Sequence, residues 1–169
     1  MKAPDNKLRI KTKPVKKVTP ELLKIAQEMI ELTKTFEDPE GVGLASTQIG
    51  RNERFFIAKV GKKFKAFFNP QIHSRSKIQK RYFEGCLSIP QFWGETNRST
   101  SIVASYLDEQ GRYIKKTLTG TTAWIFQHEV DHLNGTLFVD HVLQQKGKMY
   151  KVTGKDQAGA DVLEEVRVV

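Results

Sequence analysis

The chain lacks the paired cysteines and the long apolar segments that are typical of secreted and membrane proteins. Cys86 is the single cysteine among 169 residues, so no disulfide can form within the chain. No apolar run approaches the roughly 18 residues that a membrane helix needs, and residues 1–17 are basic without the apolar core of a secretion signal. We therefore expect a cytoplasmic protein. A single domain over residues 1–169 is expected, because this length can bury one core.

Acidic residues are scarce relative to basic ones. The chain has 28 Lys and Arg against 19 Asp and Glu, which gives a net charge of +9. Such a balance suits work near polyanions such as RNA. The lysines are spread along the chain with few aromatic residues among them, so we expect a charged surface or proximity to the ribosome and no dedicated nucleic-acid site.

Residues 127–132 (QHEVDH) form the motif that carries the clearest chemistry. His128 and His132 are four residues apart, so on a helix they face the same side one turn apart. This spacing suits two ligands of one divalent metal, with Glu129 beside them and able to reach a water on the metal. Asp131 is a candidate for orienting a ligand or anchoring the helix. An exposed helix turn with two unrelated histidines is the alternative interpretation.

Hydrophobic periodicity predicts the elements around this motif. A helix is predicted from Thr19 to about Phe36, because Thr-Pro-Glu is a typical helix start and apolar residues follow at helical spacing. The residues predicted to face the core are Leu22, Ile25, Met29, Leu32 and Phe36. Alternation predicts strands at 54–60, 64–68, 77–83, 101–107 and 112–118. The tail, residues 146–169, is either a late hairpin or a partly ordered extension. The mixture of helices and strands, with a helix near the N-terminus, is typical of an α+β fold.

Two histidines need a third protein ligand in a hydrolytic metal site. One large class of zinc endopeptidases uses a histidine six residues after the second, but that position is Phe138 here. A downstream glutamate, Glu164 or Glu165, would have to act from a poorly patterned tail. Cys86 is the better candidate, because a thiolate and two imidazoles leave one tetrahedral position open for water.

Three motifs together resemble those of peptide deformylases: 41–48 (GVGLASTQ), 84–88 (EGCLS) and 127–132 (QHEVDH). They occur in the family's order, and the resemblance runs from residue 8 to about residue 143. It implies a bacterial metal-dependent hydrolase that removes the formyl group from the N-terminal formyl-methionine of newly synthesised proteins. The implied fold is α+β, with antiparallel strands packed around a central helix that carries the two histidines and with an N-terminal helix. The implied ligands of its single divalent ion are Cys86, His128 and His132. Fe2+ is the expected metal in the cell, and Zn2+, Ni2+ or Co2+ can also occupy such a site.

The resemblance also implies roles in catalysis. Glu129 would accept a proton from water and deliver it to the leaving amine. The Gln48 carboxamide and the Leu87 backbone N–H would stabilise the charge that develops on the formyl oxygen. Gly43 would allow the peptide backbone to lie close to its loop.

The methionine side chain of such a substrate needs an apolar pocket. Trp124 and Ile125 precede His128 by four and three residues, so both can face the metal side of the helix. We hypothesise that Trp124 forms this pocket with Val42, and we include Ile125 among the substrate-binding candidates. Ordinary packing in the core is the alternative for both helix residues.

Two departures from the family pattern concern the contacts at the substrate entry and the contact of the tail with the ribosome, and neither concerns the chemistry. Trp93 stands where many members have an arginine, while Arg98 is retained. Gly147, Gly154 and Gly159 break the long C-terminal helix of the better-known enzymes, so we expect a more strand-like tail. The expected partners are formyl-methionyl nascent peptides and the ribosome; we expect a monomer without membrane contact.

Two other functions stay open at the level of sequence. A metallopeptidase would cleave ordinary peptide bonds and would need a third ligand other than Cys86. A structural metal-binding or ribosome-associated protein would need neither the base Glu129 nor the donor Gln48. The presence of both favours an enzyme.

Overall fold

Two antiparallel sheets and three α-helices make up the part of the chain described by the computed structural model, residues 1–37 and 40–167. The helices are α1 (Pro20–Lys34), α2 (Gly120–Leu133) and α3 (Phe138–Gln145). The strands are β1 (Gly43–Ala45), β2 (Phe55–Val60), β3 (Lys63–Arg75), β4 (Gln79–Cys86), β5 (Ile89–Ser99), β6 (Ser101–Leu107), β7 (Tyr113–Thr119), β8 (Met149–Lys155) and β9 (Asp161–Val166). None of the described helices is both long and apolar enough to cross a membrane.

The strands are divided between two sheets that both touch the central helix. The first sheet has the order β1-β2-β3-β6-β7 and the second has the order β4-β5-β8-β9, so β1 and β4 are edge strands. Helix α2 contacts β1 and β2 of the first sheet and β5 of the second. The predicted α+β fold, with antiparallel strands around the histidine-bearing helix, is confirmed.

Aromatic packing fixes the orientation of α2. The Phe126 ring lies edge-on to Phe56, with centroids 5.1 Å apart, and to Phe67, at 5.6 Å. Val130, one helical turn later, is buried in the same cluster. Because this side of the helix packs on the first sheet, the side that carries the two histidines faces the second sheet.

Helix α1 begins as predicted, and Leu22 and Met29 are buried as predicted, but the rest of the buried face differs. The Thr19 hydroxyl accepts a hydrogen bond from the Leu22 backbone N–H at 3.2 Å and caps the helix. The predicted core positions Leu32 and Phe36 are wrong, since they are 45% and 38% exposed. The buried face is Leu22, Ala26, Met29, Ile30 and Thr33. Leu32 lies about 100° around the helix from the centre of this face, and Phe36 lies beyond the last helical residue.

The predicted strands all occur, but β1, β5 and α3 were not predicted. Strand β1 has only three residues, too few for an alternation to show. Strand β5 contains Pro90 and Gly94 and lacks a clean alternation, and it is held in place by pairing with β4 on one side and β8 on the other. Helix α3 has only eight residues, too few for a clear helical period. The tail adopts the hairpin alternative, because β8 pairs with β9.

Candidate active site

Cys86 and the two histidines meet although they are distant in sequence. Cys86 ends edge strand β4, while His128 and His132 lie one turn apart on α2. The Cys86 Sγ lies 3.2 Å from the His132 Nε2, and the two Nε2 atoms of the histidines are also 3.2 Å apart. One ligand atom from each residue lies within 4.8 Å of the others.

The spacing of these atoms fits a single divalent metal. Two donors on one tetrahedral ion, each at about 2.0–2.3 Å, are about 3.3–3.8 Å apart. The observed separations of 3.2 Å are close to this range. One sulfur and two imidazole nitrogens also form a donor set that iron, zinc, nickel and cobalt accept. Cys86, His128 and His132 therefore could hold the metal.

The surroundings of Cys86 favour the thiolate, the form of cysteine that binds metals. Burial by itself raises the pKa of the thiol, but the nearby His132 and His128 outweigh burial and hold the pKa well below its ordinary value. The Ser88 backbone N–H also donates to the Cys86 Sγ at 3.4 Å. The negative sulfur is thus stabilised before any metal is considered.

Glu84 is a buried carboxylate that sequence reasoning did not single out. It accepts hydrogen bonds from Arg98 Nε and Nη2 at 2.7 and 2.9 Å, from the Thr96 hydroxyl at 2.5 Å and from Trp124 Nε1 at 3.0 Å. Its Oε2 lies 2.9 Å from His128 Nδ1. This contact places the His128 proton on Nδ1 and leaves Nε2 available to a metal.

The charge of Glu84 persists despite its burial. Burial alone raises the pKa of this carboxyl, but Arg98 and His128 outweigh burial and hold the pKa far below its usual range. A sequence signal for this residue did exist. Residues two apart in a strand point to the same face, so Glu84 shares the face of Cys86.

A second carboxylate completes the buried charge cluster. Asp131 Oδ2 lies 2.5 Å from Arg98 Nη1 and 2.8 Å from His141 Nε2. Asp131 thus anchors α2 to β5 and α3 through these contacts, in line with the helix-anchoring role considered for it. His141, which the sequence did not place among the ligands, contacts this cluster and not the three converging ligand atoms.

Glu129 faces the metal-ligand cluster as a buried acid with a free oxygen. Its side chain is buried, and its Oε2 has no hydrogen-bond partner within residues 1–37 and 40–167. Burial, which disfavours the charged carboxylate, raises the pKa of Glu129 to about 7. A group with such a pKa can both accept and release a proton near neutral pH.

Gln48 is held beside the sulfur by both ends of its carboxamide. Its Nε2 donates to Ser88 Oγ at 2.9 Å and to Cys86 Sγ at 3.6 Å, and its Oε1 accepts from the Ala45 backbone N–H at 2.9 Å. A hydrogen bond from Gln48 Nε2 to a substrate oxygen would therefore replace the long hydrogen bond to the Cys86 sulfur. Leu87, between Cys86 and Ser88, is partly buried next to these groups.

A cavity of about 210 Å³ joins the predicted site residues. It lies between edge strands β1 and β4, with α2 as its floor. Its lining includes every residue predicted from the sequence except His132: Val42, Gly43, Gln48, Cys86, Leu87, Trp124, Ile125, His128 and Glu129. His132 lies behind the lining, with its Nε2 against Cys86 and His128. Trp93, also in the lining, was noted in the sequence only as a departure.

Comparison with known proteins gives the family. Residues 1–148 match the family model described as polypeptide deformylase. The chain belongs to the peptide deformylase family. The peptide deformylase of Rhodopseudomonas palustris (strain BisA53) is 39% identical over 150 residues, which cover 85% of this chain and 82% of the relative. That of Mesorhizobium japonicum is 38% identical over 164 residues, with 92% of each chain covered.

Solved structures of peptide deformylases share the fold. The crystal structure of the Thermotoga maritima peptide deformylase superposes with a TM-score of 0.77 at 40% identity, covering 83% of this chain and 93% of that chain. A probable peptide deformylase from Synechococcus phage S-SSM7 gives 0.77 at 34% identity, covering 83% and 96%. The family match ends at residue 148, one residue before β8 begins.

Proposed function

We propose that this chain hydrolyses the formyl amide of N-terminal formyl-methionine in newly synthesised proteins and releases formate. The observation that carries this proposal is the convergence of Cys86, His128 and His132 beside the free carboxylate oxygen of Glu129, in a cavity open to a peptide. A structural metal site would need neither a cavity nor a base. Membership of the peptide deformylase family supports the same reaction.

The chain's own residues account for the proton transfers. A bound metal would supply Lewis acidity that activates water and polarises the formyl carbonyl. Glu129 accepts the proton that water loses as its oxygen bonds to the formyl carbon. Glu129 then delivers this proton to the methionine nitrogen as the C–N bond breaks, so the products are formate and a free amine.

Gln48 and Leu87 are the proposed donors to the formyl oxygen. The Gln48 Nε2 lies beside the Cys86 sulfur, and Leu87 follows Cys86 in the chain, so both line the cavity next to the metal ligands. Fixed donors at the developing negative charge lower the barrier without reorganising during the reaction. Each such donor is typically worth about 3 kcal/mol of transition-state stabilisation.

The nature of the substrate also supports a proposal for where in the cell the enzyme acts. Formyl-methionyl nascent chains are made by bacterial ribosomes, so we place the enzyme in the bacterial cytoplasm near the ribosome, as a monomer with one metal per chain. Fe2+ is our expected cellular metal. The net charge of +9 supports a position near ribosomal RNA.

The first test is formate release from a short formyl-methionyl peptide, with protein purified without oxygen and its metal quantified. Release should rise in proportion to metal content, and Cys86→Ser should lose most of the metal. A metal-replete, folded protein that releases no formate would reject the proposed reaction. Cleavage of ordinary peptides by Cys86→Ser with full metal would favour the metallopeptidase alternative.

The methionine pocket gives a prediction on selectivity. Trp124 is fixed by its bond to Glu84 and by stacking on Tyr82, with ring centroids 4.9 Å apart. If its ring contacts the methionine side chain, Trp124→Ala should lower the kcat/KM ratio of formyl-methionyl over formyl-alanyl peptides about tenfold. Trp124→Phe is the matched control, since it keeps an apolar ring but loses the Glu84 bond. Equal selectivity in all three proteins would reject the pocket assignment.

Gly43 gives a prediction on the geometry of the base. A Cβ at this position would lie 2.9 Å from the Glu129 Cδ, and closer still to its Oε1. Gly43→Ala must therefore displace the Glu129 carboxylate, and displacement of about 1 Å costs on the order of 100-fold in rate. Gly154→Ala is the control, because a Cβ there meets no atom within 4 Å. Wild-type rates in Gly43→Ala would contradict the position assigned to Glu129.

A further inference from the structure

Three aromatic side chains form a row on the outer face of the second sheet. Phe83 comes from β4, Trp93 from β5 and Tyr150 from β8, and Trp93 pairs with Gly85 and with Tyr150 in the strand register. The Phe83 and Trp93 rings stack with centroids 5.3 Å apart and an interplanar angle of 6°. Tyr150 meets Phe83 at 5.5 Å and 64°. We call this row the aromatic shelf.

The aromatic shelf is continuous with the catalytic cavity. Trp93 belongs to both, because it lines the cavity and stacks on Phe83. Its indole lies against Gly85, where a Cβ would be only 3.0 Å from the ring, and Gly85 directly precedes the ligand Cys86. The shelf therefore begins one residue from the metal-binding cluster.

The shelf also has a face available to a ligand. Phe83 is 42% exposed, although its ring is apolar, and Trp93 and Tyr150 are only partly buried. Glu95, which lies beside the rings, is bonded to the Tyr150 hydroxyl at 3.3 Å and paired with Arg81 at 3.5 Å. The negative charge of Glu95 at the edge of the shelf is thus offset by the positive charge of Arg81.

The lining of the cavity indicates the side on which a bound peptide would extend out of the cavity. Its lining holds two aromatic residues, Trp124 and Trp93. Trp124 is assigned to the methionine side chain, so Trp93 is available to the substrate residues after the methionine. On the opposite side of the cavity, Glu40 is charged and forms an ion pair with Lys59. On the Trp93 side, the apolar surface continues beyond the cavity onto the Phe83 ring, so an apolar peptide segment can follow it.

We propose that the aromatic shelf binds an apolar side chain, preferably an aromatic one, that comes after the formyl-methionine in the substrate. This subsite rests on the proposed deformylase function. Phe83 is three residues from Cys86 along an extended strand, a span of about 10 Å, which an extended peptide covers in about three residues. The second and third residues of the substrate are the ones that reach the shelf.

The tail hairpin is part of this subsite. Tyr150 lies on β8, beyond the end of the family match at residue 148. By pairing with β5, β8 places Tyr150 opposite Trp93 and against the Phe83 ring. The hairpin thus extends the substrate-binding surface of the catalytic domain.

The test compares formyl-Met-Ala-Phe and formyl-Met-Phe-Ala with formyl-Met-Ala-Ala. Aromatic pairs contribute enough for about a three- to tenfold preference in kcat/KM. Phe83→Ala and Tyr150→Ala should each bring the ratio of aromatic to alanine peptides close to one. Tyr150→Phe, which keeps the ring and loses the bond to Glu95, should keep the preference.

A matched control separates this effect from the loss of any surface ring. Tyr113 is a 63% exposed aromatic residue on β7, in the other sheet, so Tyr113→Ala should leave the ratio unchanged. Circular dichroism and thermal melting establish that each variant is folded. No preference in the wild type, or a preference that survives in both Phe83→Ala and Tyr150→Ala, would overturn the proposal.

Peptide binding separates failure of the subsite from failure of the reaction. The chain has two tryptophans, so its indole N–H signals in an NMR spectrum can be assigned with Trp124→Phe. Titration with Met-Ala-Phe should shift the Trp93 signal with a Kd about three- to tenfold lower than that of Met-Ala-Ala. If no peptide releases formate, this difference in Kd would still support the shelf, and equal values would overturn it.

Discussion

Glu129→Gln should reduce formate release by about three to four orders of magnitude while the protein keeps its metal. Glutamine matches glutamate in shape but cannot accept the proton of the attacking water, and positioned general bases contribute about 10²–10⁴-fold. The decrease in the rate of formate release should reach the upper part of this range, because Glu129 also protonates the leaving amine. The decrease should appear in kcat, since Glu129 acts on the reacting atoms.

Glutamine should be well tolerated at position 129. The Glu129 Oε2 has no hydrogen-bond partner in the described part of the chain, so the substitution breaks no bond at that oxygen. Burial already raises the pKa of this carboxyl to about 7, and a neutral amide is easier to bury than a carboxylate. Formate release and metal content, measured on the same sample, separate lost catalysis from lost metal.

Glu28→Gln is the matched control for this experiment. Glu28 is exposed on α1, away from the cavity, so its variant should keep wild-type activity. If Glu129→Gln keeps a tenth or more of the wild-type rate with full metal, another group transfers the proton. A variant that has lost its metal would show instead that Glu129 supports the site structurally.

Glu84→Gln should have the largest effect on stability. Glu84 joins β4, β5 and α2 through Arg98 and His128, and Arg98 is only 5% exposed. Removal of the negative charge leaves the Arg98 guanidinium with Asp131 as its carboxylate partner. Loss of one member of a buried pair costs about 3–5 kcal/mol. Denaturant unfolding of the metal-free protein should show a decrease in this range.

The same variant should weaken metal binding. Glu84 holds the Nδ1 side of His128, and loss of such a partner typically lowers metal affinity about 10- to 100-fold. Competition with a chelator of known affinity measures this change. Glu31→Gln, which removes an exposed partner of Lys34, should leave both measurements unchanged. Wild-type stability and affinity in Glu84→Gln would contradict the role assigned to this cluster.

Local patterns were predictable because short-range geometry determines them. The interval between His128 and His132 places both on one helical face, whatever the helix packs against. The strands predicted at 101–107 and 112–118 form β6 and β7, which pair as neighbours in the chain, so their pairing needs no other element. Nine of the ten residues predicted for the site line one cavity.

Other features depended on tertiary contacts, which a local sequence pattern does not show. Leu32 has helical spacing from the core residues of α1, but the neighbouring strands cover another face. Strand β5 lacks alternation in its sequence, and its pairing with β4 and β8 holds it in place. The sequence marked Trp93 only as a departure from the family pattern at the substrate entry, and pairing of the tail hairpin with β5 places it between the cavity and Tyr150.

The sequence by itself determined the histidine pair, the base between them, the α+β pattern and the resemblance to one family. These depend on residue spacing and on motifs that are complete within a few residues. The tertiary structure decided how Cys86, the third ligand that the sequence favoured, reaches the histidines, which buried carboxylate supports His128, and where the aromatic shelf lies. Cys86 and His132 are 46 residues apart, so only the packing of β4 against α2 brings the sulfur and the imidazole to 3.2 Å.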